Sequence, residues 1–316
     1  MVESKHQWKA WLYLAPAIIL LLIFTVWPII NTVRMAFLDN YRKLSEVGGE
    51  TFTIGIQNFI KVIQYKRFLS CLKNTVLLCV LTVPLSTILA LLISVCLNAI
   101  RPLQRFLQTI YFLPYVTNSI AIGMVFAAMF NIVGLQSTDG GKSFTADSWG
   151  IINSVIQFFG GDPIVWINQG SSYSANIAVM VIYIVWNSLP FKILVLLGGL
   201  QSVNKQYYDA AKVDGTSRVR VFTRITVPLL SPMIAYVVIT GFIGGFKEYT
   251  SIVGIFGETM GPPSDPGRLN TMVGFIYDAL SANNEGRASA AAIILFLIIF
   301  AVTLVNLQVS KKKTHY

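Results

Sequence analysis

Histidine, cysteine and charge are all scarce in this chain of 316 residues, and each scarcity removes a class of function. The two histidines, His6 and His315, stand at opposite ends, so the interior has no imidazole for a metal site or for acid–base work. The three cysteines, Cys71, Cys79 and Cys96, fall on or beside one hydrophobic segment without the close pairing of a zinc or redox motif, and they read as apolar filler. Charged residues make up 12% of the chain, against about 25% in a soluble domain, while 54% are hydrophobic and the mean hydropathy is +0.64. A water-soluble core cannot absorb that much apolar surface. Paired carboxylates are also missing from the hydrophobic stretches, which argues against a membrane-embedded enzyme. The formal net charge of +10 comes from basic residues scattered between apolar runs, with no aromatic-interleaved patch, so membrane topology explains it better than nucleic acid does. No internal repeat, low-complexity tract or soluble domain larger than a loop stands out.

What is present is a series of long apolar runs. A spanning helix needs about 20 mostly apolar residues, and six segments qualify: Trp11 to Val33, Asn74 to Leu97, Phe106 to Asn131, Asn176 to Leu200, Pro228 to Ile255 and Ala288 to Val309. The expectation is therefore an all-α membrane protein with about six transmembrane helices, folded as a single domain over 1–316. The first run reads as a retained span, because it is long, interrupted by Pro16 and Pro28, and lacks a small-x-small cleavage site.

Basic residues are retained on the cytoplasmic side, which orients the bundle. With the N-terminus inside, the cytoplasmic pieces hold Lys5 and Lys9; Arg101 and Arg105; Lys205, Lys212, Arg218, Arg220 and Arg224; and Lys311 to Lys313. Both termini are then cytoplasmic, and the long connection from Ile132 to Ala175 faces outward with Lys142 as its one basic residue. Arg34 to Lys73 dissents, being basic yet outside; its Phe59, Val62, Ile63 and Phe68 suit an amphipathic helix lying at the interface.

The connection between the fourth and fifth spans is the most informative stretch. Gln206 to Val213 suits a short helix that Gly215 can end in the left-handed conformation, and a second amphipathic piece from near Ser217 brings Val221, Phe222 and Ile225 toward one face before Pro228. Ala210 and Ala211 make the first helix thin enough for a groove on another protein, although an ordinary interfacial helix-turn-helix has the same periodicity. On the fourth span, Ile184, Asn187, Ser188 and Phe191 fall on one helical stripe, an aromatic beside small polar groups, which suits contact with a solute. Asn and Ser also serve as hydrogen bonds between helices, so the stripe has two readings. Lys192 lies within the same span and can snorkel inward, while Lys247 and Glu248 stand late in the fifth span, as interfacial anchors or as an anionic or gating element. Gly241-x-x-x-Gly245 either lets helices approach or leaves room for a solute.

Asp209-Ala210-Ala211-x-x-Asp214-Gly215, followed by Phe222, Ile225 and Pro228-Leu-Leu, resembles the EAA loop of permease subunits of ATP-binding-cassette (ABC) importers, which implies an ATPase-coupling role for these residues and for the neighbouring Tyr208 and Arg218. The resemblance runs along nearly the whole chain, through Leu14-x-Pro16, Trp27-Pro28, Gly55-Ile-Gln-Asn58-Phe59, Asn74-Thr75, Tyr111-Phe-Leu-Pro114, Trp149-Gly-Ile-Ile-Asn153, Trp166, Trp186-x-x-x-Pro190-Phe191 and Gly199-Leu-Gln201. It is the pattern of carbohydrate-uptake permeases, and within them of the subunit similar to the maltose or glycerol-phosphate "first" permease. Two departures stand out: Asp209 replaces the usual Glu, and Thr216 the usual Ala.

The resemblance implies a type I ABC importer permease fold, with 206–228 as a cytoplasmic coupling loop seated on a partner ATPase. It implies a second homologous permease, two ATPase subunits that hold ATP and Mg, an extracytoplasmic solute-binding protein and a sugar as solute, with no catalytic residue, cofactor or metal in this chain. Family positions along the sugar path map onto Ser119, Asn187, Ser188, Phe191, Gly244 and Gly245, with Asn118 adjacent and Lys247, Glu248 and Tyr249 at the end of the fifth span. Gly134-Leu-Gln-Ser-Thr-Asp-Gly-Gly141-Lys142-Ser143 is only a decoy for a nucleotide loop, with six residues where a P-loop has four. An anionic or phosphorylated polyol stays open as solute. A stand-alone secondary transporter would call for intramembrane acidic relays or inverted repeats, and neither is evident.

Overall fold

The computed structural model describes residues 7–100, 106, 109–110, 113, 115–138 and 143–313. Lys5, Arg101, Arg105, Lys142, the two histidines, and Tyr111, Phe112 and Pro114 of the third-span motif lie outside the described residues. In chain order the helices are α1 (Trp8–Phe37), α2 (Lys43–Val47), α3 (Gln57–Gln64), α4 (Lys66–Ala99), α5 (Ser119–Phe130), α6 (Gly150–Phe158), α7 (Tyr173–Ser202), α8 (Gln206–Val213), α9 (Arg218–Leu229), α10 (Ser231–Phe246), α11 (Thr250–Phe256), α12 (Met272–Ser281) and α13 (Glu285–Lys313). Between α5 and α6, Gln136–Thr138 (β1) pairs antiparallel with Ser143–Thr145 (β2), so part of the expected outer loop is a hairpin.

Helices α1, α4, α7 and α13 are long and apolar enough to cross a bilayer, and α9 with α10 makes a fifth candidate, bent by 69°. Their outward faces are apolar, as at Trp11, Phe24, Leu85, Ile182 and Phe296, which is the surface that lipid requires. Two expected spans differ from continuous runs. The third leaves the helix at Thr117 and Asn118; Asn118 is extended, and its side-chain oxygen accepts from the Ile120 and Ala121 amides to open α5. The fifth breaks at Leu230, because Pro232 has no N–H to offer the Pro228 carbonyl, and again at Lys247–Tyr249.

Proline within a helix is handled by one device used twice. Before Pro28 and before Pro228 the backbone widens into a π-turn, Leu22–Val26 and Phe222–Thr226, and the Trp27 and Val227 amides reach back five residues to Leu22 and Phe222. The wider turn removes the clash between a proline ring and the carbonyl four residues before it.

Contacts divide the chain into two compact units. The first comprises the chain up to Leu69 with Phe275–Phe296. Here α3 does not lie free at the interface: Asn58 and Val62 are buried against the end of α1, the Phe59 ring is 5.1 Å from Phe37, and Ile63 alone of the expected apolar set stays exposed. Asn58 acts as a latch. Its amide nitrogen donates to Leu38 O at 2.7 Å and Ala36 O at 3.1 Å, capping the end of α1, and its oxygen accepts from Asn40 N. Gly286 backs directly onto it, since a Cβ there would stand 2.7 Å from Asn58 Nδ2. Nearby, Glu46 accepts from the Tyr41 hydroxyl and from Arg34 at 2.7 Å, which together hold its carboxyl below the usual range.

The second unit comprises Ser70–Gly274 with the chain from Leu297. Its core joins Leu78 of α4, Met180 and Tyr183 of α7, Phe130 of α5 and Ile252 of α11. The two short helices α5 and α11 touch backbone to backbone at Gly123 and Gly254: a Cβ on Gly123 would come within 2.7 Å of the Gly254 Cα. At one end, Asn74 donates to the Arg268 and Asn270 carbonyls, both at 2.9 Å, and accepts from the Tyr173 hydroxyl. Asn153 closes the segment between α6 and α7 by holding both backbone groups of Ile164 and the Trp166 indole N–H.

Replacing Asn58 by leucine leaves the Leu38 and Ala36 carbonyls without their donor in a buried place. Asn58→Leu is expected to cost about 1–3 kcal/mol, read as a lowered thermal unfolding midpoint of the detergent-solubilised protein. An unchanged midpoint would mean that the end of α1 needs no latch.

Candidate functional site

Helices α4, α7 and α10 enclose a cavity of about 310 Å³ within the second unit. The α7 stripe of Ile184, Asn187, Ser188 and Phe191 forms one wall of it, as its spacing requires. Phe191 stacks on Tyr115, with centroids 6.1 Å apart and planes at 18°, and lies 6.5 Å from Tyr236, so the aromatic wall is larger than the sequence stripe indicates. Ser188 donates to Val185 O within its own helix. The Asn187 side chain, half-buried, has no hydrogen-bond partner among the described residues, which does not suit a bond between helices.

Glycines of α10 set the opposite wall, and they divide the two roles that the Gly241-x-x-x-Gly245 pattern left open. A Cβ on Gly241 would meet Val83 at 3.0 Å and one on Gly245 would meet Cys79 Sγ at 2.8 Å, so both serve close approach to α4. Gly244 has nothing within 4 Å of its missing Cβ and leaves space.

Lys192 does not snorkel. It is buried, and its ammonium donates across to α4, to Ser86 Oγ at 2.5 Å, Thr87 Oγ1 at 3.1 Å and Val83 O at 3.3 Å. Three acceptors take all three N–H groups, so Lys192 ties α7 to α4 with no donor left over. Sequence reasoning missed this because Ser86 and Thr87 lie over a hundred positions earlier, on the second span, where periodicity gives no sign of a partner on the fourth.

At the far end of α10, Glu248 turns into the cavity wall while Lys247 stays exposed. Glu248 Oε1 accepts from the Tyr249 and Ser251 amides, both at 3.2 Å, and its carbonyl accepts from Thr271 Oγ1 at 2.8 Å. The carboxyl group thereby caps α11, a role that neither the anchoring nor the gating reading of its position included. Tyr249 packs against the core cluster instead of lining the cavity. Asn118 and Ser119 also stand outside it, Asn118 as the cap of α5 and Ser119 as the carbonyl partner of the Tyr183 hydroxyl at 2.5 Å.

Helix α8 carries the other set of candidate residues. Asp209 and Ala210 are exposed, as is Lys212, and only Ala211 is buried. Asp214 ends the helix, Gly215 follows at φ +63°, and the Thr216 amide returns to Ala211 O at 3.0 Å, a left-handed stop that explains the glycine. Ser217 opens α9 by accepting from the Arg220 amide, with Arg218 exposed and Phe222 half-buried beside it. The Tyr208 hydroxyl lies 3.3 Å from the buried Thr226 Oγ1, joining α8 to the π-turn of α9.

Residues 65–315 match the model of the family described as "Binding-protein-dependent transport system inner membrane component". Over 303 residues the chain is 28% identical to the arabinooligosaccharides transport system permease protein AraP of Bacillus subtilis, covering 95% of this chain and 88% of that one. It is 26% identical to the trehalose/maltose transport system permease protein MalF of Thermococcus litoralis, covering 98% and 97%. Its fold is similar to a chain in the crystal structure of a bacterial alginate ABC transporter in complex with an alginate pentasaccharide-bound periplasmic protein, with TM-score 0.75, 23% identity and 99% and 98% coverage. The chain belongs to the family of binding-protein-dependent transport system inner membrane components and is a multi-pass membrane permease of an ABC transporter.

Proposed function

We propose that this chain is one of two homologous permease subunits through which an ATP-driven importer moves a sugar or oligosaccharide across the cytoplasmic membrane by alternating access. The observation that carries this reading is the cavity, in which the Tyr115–Phe191 aromatic stack stands beside the unpartnered Asn187 amide and the open floor at Gly244. A sugar presents C–H faces to aromatics and hydroxyls to amides, and the arrangement supplies both. The relatives named for arabinooligosaccharides and for trehalose and maltose support a glycan as solute. An anionic or phosphorylated solute is less well served, because the cation nearest the cavity has its three donors engaged on α4 and Glu248 contributes a carboxyl to the wall.

Two ATPase subunits complete the machine beneath the permeases and bind the ATP and Mg, while an extracytoplasmic solute-binding protein delivers the sugar. The exposed α8 helix is the docking element, and both termini are cytoplasmic. Motion imposed on α8 passes through the Tyr208–Thr226 contact into α9, through the 69° bend into α10, and so to Gly244 and Glu248 in the cavity wall. Asp209 keeps the charge of the usual glutamate on the exposed face of α8, where it meets the ATPase.

Coupling is tested at Gly215, where space is free but the backbone is left-handed. Gly215→Val should cost about 1–3 kcal/mol in the α8 stop and lower the ATPase activity that recovers with the solubilised complex; a normally coupled mutant complex would count heavily against docking through α8. Orientation is tested by impermeant thiol labelling in a background without Cys71, Cys79 and Cys96. Asp162→Cys should react from outside and Ser217→Cys should not, and the opposite pattern would invert the topology. For the solute, Phe191→Ala should lower uptake or change sugar preference by roughly tenfold, on the order of 1.4 kcal/mol, with the second permease and the two ATPase subunits still bound. Asn187→Leu should weaken uptake without dissociation. If that complex falls apart, Asn187 holds helices together, and if both variants transport every sugar normally, the solute takes another path.

A further inference from the structure

A second cavity, of about 340 Å³, lies in the first compact unit, and most of its lining residues precede the segment that the family model matches. Three cations line it: Arg42 after α1, Lys61 on α3 and Arg287 in the first turn of α13. The rest of the wall is amide and phenol, from Asn40, Asn58, Gln64, Asn284 and Tyr65, with no carboxylate. None of the three cations has a carboxylate oxygen within 4.0 Å among the described residues. Three carboxylates of this unit are engaged elsewhere: Glu46 with Tyr41 and Arg34, Asp39 with the Gln57 amide, and Glu285 with the Lys43 amide.

Arg287 is the least satisfied of the three. Its guanidinium carbon stands 5.1 Å over the Tyr65 ring, and its Nε is buried with no hydrogen-bond partner. Lys61 makes one bond, to Asn40 Oδ1, and keeps two donors. A desolvated guanidinium donor beside two more cations calls for an anion with several oxygens, and arginine forks match phosphate in this way.

The place of the cavity says which phosphate. Three spanning helices end at it, since α1 finishes at Phe37, α4 begins next to Tyr65 and α13 begins next to Asn284. Where three spans stop together, the membrane passes from hydrocarbon to headgroups. Ile56 at the start of α3, Ile63 on α3 and Leu69 in the first turn of α4 are exposed and offer apolar surface for acyl chains. We infer that this cavity binds the phosphate of an anionic lipid headgroup, Arg42, Lys61 and Arg287 supplying the charge and Asn284 and Gln64 further hydrogen bonds. The site does not depend on the solute reading and shares no residue with the cavity that carries it.

The test uses the intact transporter, washed free of lipid in detergent and then offered phosphatidylglycerol, phosphatidylcholine or inorganic phosphate, with retained adducts read by native mass spectrometry. Phosphatidylglycerol should be retained preferentially, and Arg42→Gln or Lys61→Gln, both exposed positions, should each weaken its retention about fivefold while leaving complex yield unchanged. Inorganic phosphate should not displace the lipid at equal concentration. Equal retention of the two lipids, or variants that bind phosphatidylglycerol like wild type, would overturn the assignment. Displacement by inorganic phosphate would make this a free-anion site, and variants that lose the solute-binding protein but keep lipid would make it a protein contact; either result also overturns it.

Discussion

Backbone groups inside a bilayer have no water to fall back on, so every break in a helix must find its replacement partners within the protein. Breaks are numerous in this chain, and each is answered locally. The two prolines that follow a π-turn have their lost bond absorbed by the wider turn, Asn118 caps α5 with its own side chain, and Glu248 caps α11 after α10 stops. The Glu248 break matters most for the site. By ending α10 at Phe246 it turns the following helix away, so that Gly254 can lie against Gly123, and it leaves a carboxyl in the cavity wall.

Close approach of helices shapes the rest of that cavity. Without a hydrophobic drive between helices in lipid, small residues and hydrogen bonds decide which surfaces meet. Gly241 and Gly245 bring α10 onto α4, and Lys192 brings α7 onto the same helix with three hydrogen bonds to Val83, Ser86 and Thr87. An ionisable group in a span is costly unless its donors are used, and here they all are. What stays open between the three helices is bounded by Phe191, Asn187 and the bare Gly244. The same α10 continues through the bend into α9, which meets the exposed α8 at Thr226, so the cavity wall and α8 are joined through one continuous run of helices.

Length and apolarity alone were enough to mark α1, α4, α7 and α13 as spans, because a bilayer imposes a minimum run of about 20 apolar residues that few other settings demand. The left-handed stop at Gly215, the short helix before it and the Asn187–Ser188–Phe191 stripe were equally legible, since each depends on neighbours within a turn or two. The family was legible for the same reason: its motifs are local, and residues 65–315 match its model.

Other features turn on contacts between distant positions, and only the tertiary structure decided them. Lys192 reads as a snorkelling charge until Ser86 and Thr87 are beside it; Asn58 reads as one residue of a motif until the carbonyls ending α1 are within reach; Glu248 reads as an anchor or a gating group, and its cap on α11 shows only once α10 stops short. Gly241 and Gly244 are indistinguishable along the chain, and one packs while the other opens space, because what a missing side chain means is set by the helix across from it. Arg42, Lys61 and Arg287 are separated by up to 245 positions of ordinary loop and helix, and they become a single charged cavity because three span ends meet there. Periodicity along a chain records what one helix can do, whereas the partner of each polar group is chosen by which helices the bilayer forces together.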